Sequence, residues 1–88
     1  MYCILVYDIG EKRVAKALKL CRQYLCWIQN SVFEGNLTEA RIEELLHRLK
    51  KIMKLTEDSV ILFKMQNDKY IEKDMLGVDK SKLTSNFI

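Results

Sequence analysis

The chain has 88 residues and 49% apolar side chains, with no proline and only three glycines. That length holds one domain, and the low proline and glycine content excludes a loop-rich or disordered chain. Net charge is only +3, so any argument for a polyanionic partner must come from where the charges sit.

A chain this short buries about two-thirds or less of its unfolded surface. An apolar face left over for a second copy is therefore expected. Cys3, Cys21 and Cys26 are an odd number of cysteines without CxxC spacing, and they are read as reduced core thiols rather than metal ligands or disulfide partners. No apolar run approaches the ~20 residues of a membrane span. The first run is too short for a signal peptide and lacks a basic leader, so a cytoplasmic location is expected.

Tyr2 to Tyr7 is a continuous apolar run of strand length, which predicts a central strand covered on both faces. From Glu11 the period becomes 3.6. Val14, Ala17, Leu18, Cys21 and Leu25 fall on one side, with Lys12, Lys16, Lys19 and Gln23 opposite, as in a helix lying on a sheet. Residues 12–22 contain Lys12, Arg13, Lys16, Lys19 and Arg22 and no acid. Positive charge thus concentrates on one element, either as a polyanion-binding surface or as a solvated helix face.

Cys26 to Gly35 returns to strand character, interrupted by Gln29, Asn30 and Ser31. It reads as one bent strand or as two short strands meeting near Asn30-Ser31. Asn36-Leu37-Thr38 offers an N-cap for a helix to about Lys54, with Ile42, Leu45, Leu46, Leu49, Ile52 and Met53 on its apolar face. Glu44 and Arg48 have i,i+4 spacing on its solvent side, where His47 also falls. Ser59 to Gln66 is a further strand, with Val60 to Phe63 expected to be covered on both faces.

This order, with the middle region counted as two strands, predicts an α+β fold: a ferredoxin-like βαββαβ sandwich with antiparallel strands and two helices on one face. Residues 1–78 form the single domain and 79–88 a tail, for partner binding or frayed. Gly77-Val78 has the character to begin an extra C-terminal edge strand. The open face of the sheet, unless wet, must meet another molecule, so a homodimer is expected.

Asp8 is the sharpest chemical candidate, a lone acid where the first strand gives way to the first helix. It can cap that helix through backbone N–H groups. One carboxylate is otherwise a poor magnesium site, because Mg2+ needs oxygen ligands from elsewhere. Lys12 and Arg13 begin the helix, where its N-terminus already favours an anion, and Arg13 has the planar fork for phosphate. Gly10 allows close backbone approach, or simply a turn. No Walker A, GxGxxG or Cys/His zinc spacing is present.

Three blocks in register carry a family resemblance: an apolar strand ending Tyr7-Asp8-Ile9, then Lys12-Arg13-Val14 opening a helix, then Gln29-Asn30-Ser31-Val32-Phe33-Glu34-Gly35. Over roughly residues 1–66 the chain resembles the CRISPR-associated Cas-two (Cas2) family of small dimeric adaptation proteins. The resemblance implies a homodimer that works with a CRISPR integrase subunit, binds double-stranded pre-spacer DNA and supports spacer integration. It also implies a Mg2+ ion shared between the two Asp8 carboxylates, and endonuclease action on single-stranded RNA or double-stranded DNA. Asp8 is then metal ligand and catalytic residue. Ser31 and Phe33 lie near it, the serine for water or phosphate and the aromatic as cleft wall, against a turn residue and a core residue in the plainer reading. Lys12, Arg13, Lys16 and Lys19 would carry the nucleic acid.

Some members with ribonuclease activity carry arginines where this chain has Glu11 and Trp27, which weakens the hydrolytic expectation more than the fold. Leu25 also stands where a glycine is common. The alternatives are a stand-alone metal-dependent endoribonuclease of toxin type and a non-catalytic ferredoxin-like interaction module.

Overall fold

The computed structural model describes residues 1–69 and 71–82. The first strand, β1 (Tyr2–Asp8), lies in the middle of a four-stranded sheet. Its side chains alternate between faces. Cys3, Leu5 and Tyr7 are buried beneath the helices, whereas Ile4 and Val6, on the other face, are half-buried.

α1 (Glu11–Arg22) buries Ala17, Leu20 and Cys21. A hairpin follows, β2 (Cys26–Gln29) and β3 (Val32–Asn36). The interrupted segment is thus two strands that meet at Asn30-Ser31. Asn30 takes φ 45°, a left-handed conformation asparagine tolerates better than most residues. The indole N–H of Trp27 donates to the Asn30 carbonyl at 2.8 Å, and the ladder slips between Trp27 and Gln29.

α2 (Glu39–Ile52) begins as expected, with the Thr38 hydroxyl accepting the Arg41 N–H at 3.2 Å. It ends two residues before Lys54, because Met53 turns to an extended conformation (ψ 155°). Ile42, Leu45 and Leu49 are buried, while Leu46, expected among them, is exposed. β4 (Ser59–Met65) completes the sheet in the order β2-β3-β1-β4, antiparallel throughout. This is the ferredoxin-like arrangement.

Several expectations change at the periphery. β4 is an edge strand within this chain, and Ile61 and Phe63 are each 53% exposed on its open side. Cys26 is exposed on β2, unlike the buried Cys3 and Cys21; burial pushes the Cys21 thiol up to about 12. Residues 71–82 contain no strand, Gly77-Val78 included, and end in a 3-10 turn at 80–82. Tyr70 and the remainder of the tail, 83–88, lie outside the described residues. Arg48 does not pair with Glu44. Glu44 is held by Arg41 at 3.2 Å and receives the Tyr24 hydroxyl, while Arg48 donates to Tyr24 Oη at 3.0 Å. Among the described residues, no helix is long and apolar enough to cross a membrane.

Candidate functional site

Asp8 is the last residue of β1, opposite Ser59 in register. Alternation places it with Ile4 and Val6 on the face away from the helices. It is exposed, and its carboxylate has no hydrogen bond or ion pair among the described residues. It does not cap α1: the N-cap is Gly10, which has no side chain to bond the helix. The Tyr7 N–H donates to the Ser31 carbonyl at 3.1 Å, so the hairpin turn arrives at the same end of the sheet as Asp8. The backbones at Asp8 and Ser31 therefore lie at one end of the sheet.

Phe33 is not brought to them. Its side chain is fully buried on the helix-facing side of β3, with its ring centroid 5.8 Å from that of Tyr7. This is the core position of the plainer reading, and it offers no surface to a base.

Arg13 differs most from expectation. Its Nε donates to Asp58 Oδ2 at 2.6 Å and its Nη2 to Asp58 Oδ1 at 2.9 Å, with Glu57 at 3.3 Å. The fork that could grip a phosphate already grips a carboxylate in the bidentate geometry guanidinium favours. Asp58 also accepts the backbone N–H groups of Gly10 and Lys54, each at 2.9 Å. Its side chain is 1% exposed. The Arg13 guanidinium holds the Asp58 carboxyl well below the usual carboxylate range, against the opposing effect of burial and with help from the Lys54 and Gly10 N–H groups.

Gly10 makes that clamp possible. A Cβ there would stand 2.5 Å from Arg13 Nη2 and 3.5 Å from Asp58 Oδ1. An arginine tip can usually move aside, but this one is pinned. Asp58 thus performs the helix-start role considered for Asp8, from 48 residues away. Nothing local in the sequence marks it, beyond an acid directly before an apolar strand.

The other cations divide between two places. Lys12 borders a cleft at the start of α1 that also contains Glu11, Lys54 and Glu57. Lys16 and Lys19 lie further along α1, beside α2. All three lysines are exposed. Trp27 is half-buried against the core.

Comparison with known proteins gives this geometry a context. Residues 1–73 match the family described as CRISPR associated protein Cas2. The chain belongs to the Cas2 family. A Cas2 from Dictyoglomus turgidum is 48% identical over 82 residues, covering 93% of this chain and 94% of the relative. One from Methanosarcina acetivorans is 41% identical over 88 residues, with both chains covered completely. Both relatives are named CRISPR-associated endoribonuclease Cas2. Among solved structures, a Cas2 crystal structure superposes with TM-score 0.84 at 46% identity, covering 92% of this chain and 91% of that one. Streptococcus pyogenes Cas2 gives 0.76 at 31% identity, covering 88% and 100%.

Asp8 is exposed at the end of β1, on the face away from the helices, while Glu11 and Glu57 border the cleft at the start of α1. Among the described residues, no group of three or more His, Cys, Asp or Glu could hold a metal ion. A hydrated Mg2+ that keeps several waters suits one carboxylate from each of two copies. The donor set fits the ion only on that condition.

Proposed function

We propose that this protein acts as a homodimer, joined sheet to sheet, that carries pre-spacer DNA for a CRISPR integrase subunit. One observation supports the reading above the rest. On the face away from the helices, the β1–β4 side bearing Ile4, Val6, Ile61 and Phe63 is apolar and open, and the unpaired Asp8 carboxylate stands at its end. Covering this face with its own copy removes apolar area from water and gives Asp8 a twin.

The tail adds to the surface available to a second chain. Lys73 Nζ reaches Glu34 Oε2 at 2.5 Å and ties the tail over the β2–β3 side, while Leu76 and Val78 stay exposed. Lys12, Lys16 and Lys19 would hold phosphates without reading bases, whereas Arg13 is committed to Asp58. The integrase partner performs strand transfer.

A second reading rests on the endoribonuclease names of the relatives and on the free Asp8 carboxylate. In it the two Asp8 carboxylates would hold Mg2+, and the Ser31 hydroxyl would donate a hydrogen bond to a phosphate oxygen or to water. When bound, the ion supplies Lewis acidity towards a phosphoryl oxygen and acidifies a water. Asp8 acts only as acceptor and holder, having no proton to give while ionised.

A spacer-acquisition assay comparing wild type with Asp8→Asn separates the two readings. Retained acquisition supports the carrier role; lost acquisition with an intact dimer shows that the metal site is required.

A further inference from the structure

We propose that the groove between α1 and α2, on the outer side of the helix layer, binds the phosphate backbone of a nucleic acid duplex through Lys16, Lys19, Arg48 and Lys51. The inference rests on the nucleic-acid reading above and extends it to a second helix. It also moves the main contact away from the start of α1.

The groove is open, with a volume of about 450 Å³ and an apolar floor of Leu20 and Ile52. Four of its lining side chains are cationic and none is acidic. Its neighbours differ. The cleft at Lys12 includes Glu11 and Glu57, and the groove between α2 and β4 includes Glu43 and Asp58.

Ion pairing leaves the cations of this groove free of carboxylates, as it also leaves Lys12 and Lys50 among the described residues. Arg13, Arg41, Lys54, Lys64 and Lys73 each have a carboxylate partner. Lys16, Lys19 and Lys51 have none among the described residues. Arg48 is steadied by neutral groups, Gln23 Oε1 at 3.2 Å and Tyr24 Oη at 3.0 Å, and its guanidinium carbon lies 5.7 Å from the Tyr24 ring centroid. Both hydrogen bonds use Nη1, which leaves the Nε–Nη2 edge for a bidentate anion.

The spacing suits a polymer. Lys16 and Lys19, like Arg48 and Lys51, are three residues apart on a helix, about 4.5 Å along its axis. Successive phosphates on one strand of a duplex advance about 3.4 Å along the duplex axis. Two short rows of cations can therefore flank one strand. No aromatic side chain or carboxylate lines the groove, and the Gln23 carbonyl that does line it already accepts from Arg48, so contact is with the backbone. In a dimer joined through the sheets, the two grooves face outward, on the side away from Asp8.

The test uses the full chain and a fluorescein-labelled mixed-sequence DNA duplex, with binding followed by anisotropy across a salt series. The double variant Arg48→Gln/Lys51→Gln is expected to bind at least about tenfold more weakly near 0.1 M salt. It should also reduce the slope of log K against log salt by about 2, close to one per lost phosphate contact. Lys50→Gln, on the other side of α2, should leave the slope unchanged. Lys51→Gln alone, which breaks no hydrogen bond, should show about half the slope change and keeps the test valid if Arg48→Gln loosens the helix pair. Unchanged affinity and slope in both Lys51 variants, with wild type still binding, overturns the groove and leaves the nucleic-acid reading standing. Wild type that binds only single-stranded RNA also overturns it. No salt-sensitive binding by wild type overturns both.

Discussion

Asp58 and Arg13, 45 residues apart, form a two-bond ion pair that fastens the start of α1 to the start of β4. Asp58 precedes Ser59, which lies opposite Asp8. The pair and the Gly10 bond therefore fix the loop that leaves Asp8, without touching the Asp8 carboxylate.

Breaking that pair should destabilise the protein, because the Asp58 carboxylate is the shared acceptor for Arg13 and for the Gly10 and Lys54 N–H groups. Asp58→Asn is expected to lower Tm by at least about 5 °C at fixed protein concentration. The sign with pH follows from the lowered carboxyl. Its contribution is complete above the ordinary value of 3.8 and is lost as pH falls through that value towards the lower folded one. Thermal melts from neutral pH to about pH 2 should show the gap between wild type and variant constant above roughly pH 5 and shrinking below pH 4. A gap that widens on acidification contradicts the assignment.

Gly10→Ala should disturb the same clamp, since the added Cβ meets Arg13 Nη2. Its cost should depend on Arg13. In a double-mutant cycle, Gly10→Ala in an Arg13→Ala background should lower Tm much less than in wild type. Additive effects would show that the glycine serves the backbone turn alone.

These relationships mark where the sequence was informative. The order of the helices and of the first and last strands and the Thr38 cap were legible because each depends on neighbours a few residues away, whereas Cys26 to Gly35 read equally as one bent strand or as two. The position of Asp8 at the end of the first strand was legible too, but the capping role considered for it was not fulfilled, because the N-cap is Gly10. The fate of Arg13 was not legible, because its partner lies across the fold and an arginine at a helix start looks the same free or engaged. Arg48 was hidden similarly: its spacing to Glu44 suggested an ion pair, but Tyr24 and Gln23 from the other side of the helix pair hold it. The exposure of Cys26 depends on which side of a short, slipped strand it occupies, and that register is not carried by composition.

Phe33 belongs to the core, and its variants should behave accordingly. Phe33→Ala is expected to cost about 3–5 kcal/mol, measured by denaturant unfolding. Phe33→Leu, which keeps most of the volume, should fold and bind nucleic acid as wild type does. Normal stability with lost binding in the leucine variant would instead place the ring at the ligand.

The open face should hold the dimer through Ile61 and Phe63. Placing a charge there by Phe63→Glu buries an unpaired carboxylate in the interface, and light scattering should then show single chains. Asp8→Asn should leave the dimer intact. A dimer that survives Phe63→Glu at micromolar concentration would point to another interface.

The most direct test of a site built from two copies is the distance between the two Asp8 positions in solution. Spin labels at Asp8→Cys, in a Cys26→Ser background, report it by pulsed dipolar spectroscopy. A single narrow distance shorter than 22 Å, the smallest extent of one chain, is the predicted result. No dipolar coupling, or a distance beyond the 33 Å long axis, would contradict it.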